Sequence, residues 1–198
     1  MKESNTASKV RNHIKRLRKG APFTTASFKS FGSKSAIVKA LSRLSKEGVI
    51  ERLGKGIYIR PTPGRFTPFV RPLPIEVAKA VAKGADPRAK VFLHGAEAVR
   101  RLGLSTQLQV RPHYSTTGPN QSFTYGKLKV VLQHVPERVG ILAGRPAGTA
   151  LAALYYLGKK GVTQDIVAHI ESKLPSEEFA ALRSVRGAMP EWLQALLD

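Results

Sequence analysis

Apolar positions in residues 33–60, SKSAIVKALSRLSKEGVIERLGKGIYIR, fall in two successive rhythms. Ile37, Ala40, Leu41 and Leu44 recur at helical spacing and make one apolar face, with Lys34, Ser35, Lys39, Ser42, Arg43 and Lys46 on the other sides. Ser33 is placed to cap this helix and Gly48 to end it. Residues 49–53 and 57–60 then suit two short strands joined by Gly54-Lys55-Gly56. Upstream, Thr6 to Lys19 predicts a helix with Val10, Ile14 and Leu17 inward, stopped by Gly20-Ala21-Pro22. Phe23-Thr24-Thr25 suits a short strand that pairs with the hairpin. Ala26 to Phe31 suits a short second helix with Phe28 and Phe31 in the core, and Gly32 turns the chain into the third.

Residues 61–72, PTPGRFTPFVRP, carry four prolines and a glycine, a composition that blocks helix and central strand alike. This sets a linker between a first domain at 1–60 and a second at 73–198. In the second, the pattern predicts helices at 74–83 (Val77, Ala78 and Val81 inward) and 95–102, and a short strand at 91–93. Residues 107–116 and 127–135 alternate like strands of one antiparallel sheet, with a turn at 117–120, a further strand at 122–125 and a tight turn at Gly126-Lys127. From Pro146 the pattern is helical: 147–157, 163–174, 176–185, and a last short helix opened by Pro190 and containing Trp192, Leu193, Leu196 and Leu197. The expected fold class is α+β: an N-terminal winged helix-turn-helix, then a mixed α/β domain with a small antiparallel sheet and helices.

Composition sharpens this picture. Hydrophobic residues make up 42% of the 198, enough for a real core. There is no cysteine, so disulfides and thiolate metal sites are excluded, which fits a cytoplasmic protein. The N-terminus is polar and basic, unlike a secretory signal, and no apolar run approaches the ~20 residues that span a bilayer. The formal net charge is +20. It is uneven: residues 1–72 hold 17 basic and 3 acidic side chains (net +14), and 73–198 hold 16 and 10 (net +6). Charge concentrated on the helix-hairpin segment favours nucleic acid as the partner. The plainer alternative is a basic protein kept soluble by its charge, or one associated with the ribosome.

A basic helix followed by a basic hairpin is the layout in which the helix enters the major groove and the hairpin meets backbone or minor groove. The outward candidates on the helix are Lys34, Ser35, Val38, Lys39, Ser42 and Arg43. Lysine suits guanine acceptors, serine either role and valine a thymine methyl, whereas contact with phosphate alone is the simpler role for Lys34 and Lys39. Lys55 at the hairpin tip, with Arg52 and Arg60, is expected at phosphate or minor groove; a solvated tip is the alternative. Arg11, Lys15, Arg16, Arg18 and Lys19 of the first helix either flank the DNA backbone or form a solvated face. Arg100, Arg101, Arg111 and His113, beside Tyr114, are second-domain candidates for further DNA or partner contact.

Enzymatic chemistry finds little footing. His13, His94, His113, His134 and His169 lack metal-ligand spacing and read as surface or hydrogen-bonded residues. Residues 144–149, GRPAGT, echo a phosphate loop without its Lys-Ser/Thr ending, and a turn with Pro146 at a helix start explains them better. No paired carboxylates or serine elbow stand out. No catalytic residue, metal or cofactor is expected, and a nucleic-acid enzyme is the least favoured class.

Gly54-Lys55-Gly56-Ile57-Tyr58, His94–Gln107 (HGAEAVRRLGLSTQ), Tyr114–Asn120 (YSTTGPN) and Ala143–Gly158 (AGRPAGTALAALYYLG) together resemble AbiEi-type antitoxins of bacterial type IV toxin–antitoxin systems. The resemblance covers almost the whole chain. It implies a repressor that binds inverted repeats in its own promoter, as monomer or dimer, and counters a nucleotidyltransferase-like toxin through its C-terminal domain. The alternatives are a plain winged-helix transcriptional regulator and an antitoxin acting chiefly by protein–protein interaction. No membrane partner is expected.

Overall fold

The computed structural model describes residues 2–65 and 69–197; Phe66, Thr67 and Pro68 of the expected linker lie outside the described residues. The chain is a mixed α/β protein with one small antiparallel sheet and one mixed sheet. It divides into two compact units, Met1–Arg88 with Ser122–Val130, and Ala89–Gln121 with Val131–Asp198.

The first unit opens with helix α1 (Lys2–Arg16), which buries Val10 and Ile14 completely. It ends three residues before the expected Lys19. The Leu17 amide closes a tighter turn onto the Ile14 carbonyl, and the Arg60 guanidinium takes the Lys15 and Leu17 carbonyls at 2.7 and 3.1 Å. Strand β1 (Pro22–Thr24) leads into the short helix expected at 26–31, which spans Thr25–Phe31 and is wound as a 3-10 turn. Seven residues give an α-helix few internal bonds, and short runs of this length commonly wind as 3-10; Phe28 is fully buried in it. Helix α2 (Lys34–Lys46) follows, capped by the Ser33 hydroxyl, which accepts from the Ala36 amide. At its C-terminus the Val49 amide bonds back to the Leu44 carbonyl and the Gly48 amide to Ser45, with Gly48 at φ +70°. This double closure needs the left-handed conformation that glycine adopts most readily.

Strands β2 (Glu51–Gly54) and β3 (Ile57–Ile59) pair antiparallel, and β1 adds to β3, giving the order β1-β3-β2. Ile37, Leu41, Leu44, Phe23, Phe28 and Tyr58 join Val10 and Ile14 in one core. Each buried aliphatic side chain in it contributes about 2 kcal/mol. Helix α3 (Pro74–Ala85) also belongs to this unit, because its buried face of Val77, Ala78 and Ala82 packs on β1 and the 3-10 turn. The unit boundary near Arg88 therefore differs from the one expected at 61–72. Proline blocks regular structure, but the apolar face of the next helix decides where the chain after it belongs.

The second unit contains β4 (Val91–Leu93), α4 (Gly95–Arg101) and β5 (His113–Thr116), and the C-terminal helices α5 (Pro146–Gly161), α6 (Gln164–Lys173), α7 (Ser176–Ser184) and α8 (Glu191–Gln194). Helix α5 is interrupted at Gly158 (φ 67°), so its regular part stops at the expected Leu157. Its buried residues, Ala147 and Ala150–Leu154 among them, meet Ala98, Val99, Ile170, Leu182 and Leu193 in the main core of this unit. Strands β6 (Gln121–Tyr125) and β7 (Leu128–His134) form a hairpin, and the four-stranded order is β4-β5-β7-β6.

Two expectations for this sheet are corrected. Strand β5 starts only at His113: residues 107–112 are not strand, Leu108 and Val110 are 77% and 96% exposed, and Pro112 has no amide to offer a ladder. Strands β5 and β7 pair parallel, His113 opposite Val131 and Thr116 opposite His134, so the sheet is mixed. Alternation assigns faces and carries no direction. The tight turn after Tyr125 returns β7 between β5 and β6, and β7 then runs the same way as β5.

Candidate nucleic-acid interface

At 100° per residue, the exposed side chains of α2 cover one half of its circumference and the core residues the other. Lys34, Ser35, Val38, Lys39, Ser42 and Arg43 are all exposed, Val38 at 43% although it is apolar. Residues 34–46 contain no acidic side chain. The Ser35 hydroxyl lies 3.1 Å from that of Ser33. The first acid, Glu47, follows the helix and is paired with Arg11 of α1, which thereby ties the two helices together. Lys15, Arg16, Arg18 and Lys19 are exposed.

The β2–β3 turn exposes Lys55. Arg52 donates from Nε to the Gly54 carbonyl at 3.2 Å, leaving its terminal nitrogens to solvent. Arg60 sits elsewhere: both bonds of its Nη1 hold the end of α1, so its charge stabilises a helix C-terminus rather than joining Lys55 at the tip. The same unit brings in a segment not foreseen for this surface. A Cβ built on Gly54 would lie 2.4 Å from the Thr124 carbonyl, so the β6–β7 tip lies against the β2–β3 turn. Nothing local in 122–130 signals this placement.

The model of a family of unknown function, DUF6088, matches residues 9–182. The chain belongs to this family. The matched stretch includes α2, both hairpins and the second-unit candidates. No curated protein matches the chain.

In the second unit of this DUF6088 chain, the candidate arginines are differently committed. Glu97 receives Arg100 through two bonds, 2.8 and 2.7 Å, and Arg101 through one at 3.0 Å. These bonds hold its carboxyl at about 2, chiefly through Arg100. Arg111 is exposed and, with Leu108, Tyr114 and the Glu97 cluster, lines one shallow cavity. His113 stacks on His94, ring centroids 4.0 Å apart and planes 13° from parallel, with Tyr156 edge-on to His94. His94 Nδ1 accepts the Ala96 amide at 3.3 Å and so caps α4.

The other histidines have structural partners as well. His13 packs edge-on against Phe28 and Phe31, His134 Nδ1 lies 2.9 Å from the Gly118 carbonyl, and His169 Nε2 lies 2.8 Å from that of Leu102. The residues that echo a phosphate loop already hold an anion of the chain's own: the Glu178 carboxylate accepts from the Ala147 amide at 2.9 Å and from Arg145 at 2.9 and 3.1 Å. It occupies the N-terminus of α5, where amides and helix dipole favour negative charge. Among the described residues no group of three or more His, Asp or Glu is placed to hold a metal, and no helix is long and apolar enough to cross a membrane.

The histidine stack is expected to make stability pH-dependent. Burial lowers the pKa of both rings, and the charge of His113 lowers that of His94 further, while Gln133 acts the other way. The unfolded chain thus takes up protons first as pH falls, so the stabilisation is complete above the ordinary value of 6.5 and is lost on acidification. The urea midpoint should drop between about pH 7.5 and about pH 5.5. His94→Asn keeps an acceptor for the Ala96 amide and removes one titrating ring. Its drop should be clearly smaller; an equal drop would exclude the stack as the cause.

Proposed function

We propose that the first unit is a winged helix that binds duplex DNA, with α2 as recognition helix and the β2–β3 turn as wing. The observation that carries this reading is the exposed half of α2: three lysines, an arginine, two serines and a valine, no acid among them, on a helix whose other half is locked in the core. Those residue types match the donors, acceptors and methyl groups of the major groove and the phosphates that flank it. The element order α1, β1, 3-10 turn, α2, β2, β3 and the strand order β1-β3-β2 fit that module.

The protein then acts as a DNA-binding antitoxin that represses its own operon and counters a nucleotidyltransferase-like toxin. The DNA half rests on α2 and the charge of 1–72. The antitoxin half rests on the resemblance of residues 94–107, 114–120 and 143–158 to AbiEi-type antitoxins. This is a binding function, and no residue is assigned a catalytic role.

Footprinting of the full chain on the DNA upstream of its own gene tests the first half. Protection of an inverted repeat, absent on a mixed-sequence duplex, is expected. Equal binding to both would leave a general nucleic-acid binder. Co-expression with the neighbouring gene tests the second half, and failure to restore growth would remove the antitoxin role while leaving the regulator.

A further inference from the structure

Two lysines lie at the tip of the β6–β7 hairpin. Residues 122–130 read SFTYGKLKV, with Lys127 in the turn, Lys129 at the start of the return strand, both exposed, and no acidic residue. This tip belongs to the first unit, and three observations fix it there. The missing side chain of Gly54 lets the Thr124 carbonyl reach the β2–β3 backbone, where a Cβ would stand 2.4 Å away. Arg52, Leu53, Gly54 and Lys55 line a single open cavity with Thr124 and Gly126. Tyr125, 6% exposed, donates its hydroxyl to the Pro72 carbonyl at 2.7 Å, with Arg71 beside it.

These contacts gather Arg52, Lys55, Lys127 and Lys129 around two adjoining hairpins. The nearest acid in either sequence is Glu51, half-buried in β2. Lysines on hairpin turns are compact charges on flexible stems, suited to phosphate rather than to bidentate reading of a base edge.

We infer that the β6–β7 tip is a second phosphate-contacting hairpin, placed beside the β2–β3 turn so that two hairpins follow the backbone of one DNA duplex. This rests on the reading of α2 as a DNA-binding helix, and it assigns Lys127 and Lys129 to the same surface. It also gives a role to an excursion of the chain that leaves the second unit at Gln121 and returns to it at Val131.

The test measures affinity of the full chain for a duplex of its own upstream DNA across a range of potassium chloride. Lys127→Gln/Lys129→Gln should weaken binding and make the log–log salt slope shallower by about 2, one unit per lost phosphate contact, with an unchanged melting temperature. Lys159→Gln/Lys160→Gln removes the same net charge from the second unit and should leave the slope unaltered. A slope equal to wild type for the first pair, or an equal change for both pairs, would overturn the inference. If Lys34→Glu/Lys55→Glu weakens binding and Lys127→Gln/Lys129→Gln does not, the second hairpin falls and the winged-helix reading stands. If the wild type does not bind the duplex, both fall.

Discussion

Gly148→Ala is expected to destabilise the second unit more than any other single methyl addition. Gly148 lies in the first turn of α5, buried, and a Cβ there would meet the Leu142 carbonyl oxygen at 2.0 Å and its carbon at 2.6 Å. Both are backbone atoms of the turn that leads into the helix. They cannot swing aside as a flexible side chain would, and α5 carries Ala150–Leu154 into the main core. Overpacking of this kind costs about 3 kcal/mol. For a unit of this size that is a fall of roughly 15 °C in melting temperature. Gly187→Ala is the control: it lies in a 3-10 turn with no atom within 4 Å of the added methyl, and should melt with the wild type. Circular dichroism of the full chain checks both. A Gly148→Ala melt within about 2 °C of wild type would contradict the packing described here.

Lys34→Glu/Lys55→Glu is expected to remove nearly all DNA affinity without loss of stability. Lys34 is the first residue of α2 and Lys55 the tip of the β2–β3 turn, both exposed. A glutamate in the first turn of a helix suits the helix dipole, so α2 should not suffer. At the DNA surface each reversal deletes an attraction to phosphate and adds a repulsion. The pair should lower affinity by about a hundredfold or more near physiological salt.

Much of the first unit was legible because local chemistry and tertiary packing agree there. The spacing of Ile37, Ala40, Leu41 and Leu44, the Ser33 cap and the Gly48 stop each predict the observed α2, and every one of those apolar residues is buried. Arg60 was less legible. As one of several basic residues in a basic segment it resembles a DNA contact, and only the carbonyls of Lys15 and Leu17 reveal it as the clasp of α1. The mixed sheet was hidden for a different reason. Period-two alternation is the same for parallel and antiparallel strands, so the direction of β7 depends on β6 crossing to the far edge. Likewise nothing in SFTYGKLKV points to the β2–β3 turn; that approach depends on Gly54 lacking a side chain, some seventy residues earlier. The Glu178 carboxylate at the start of α5 is a third long-range pairing, invisible in the GRPAGT stretch it completes.

The claim that α2 and the β2–β3 turn form a DNA-binding surface is tested most directly by titrating the full chain against its upstream duplex over a range of salt, wild type beside Lys34→Glu/Lys55→Glu. The wild type should show a log–log slope steeper than roughly −4, as expected for about five or more phosphate contacts. The variant should bind far more weakly with a shallower slope. A wild-type affinity that does not respond to salt, or a variant that binds as tightly as the wild type, would contradict the account.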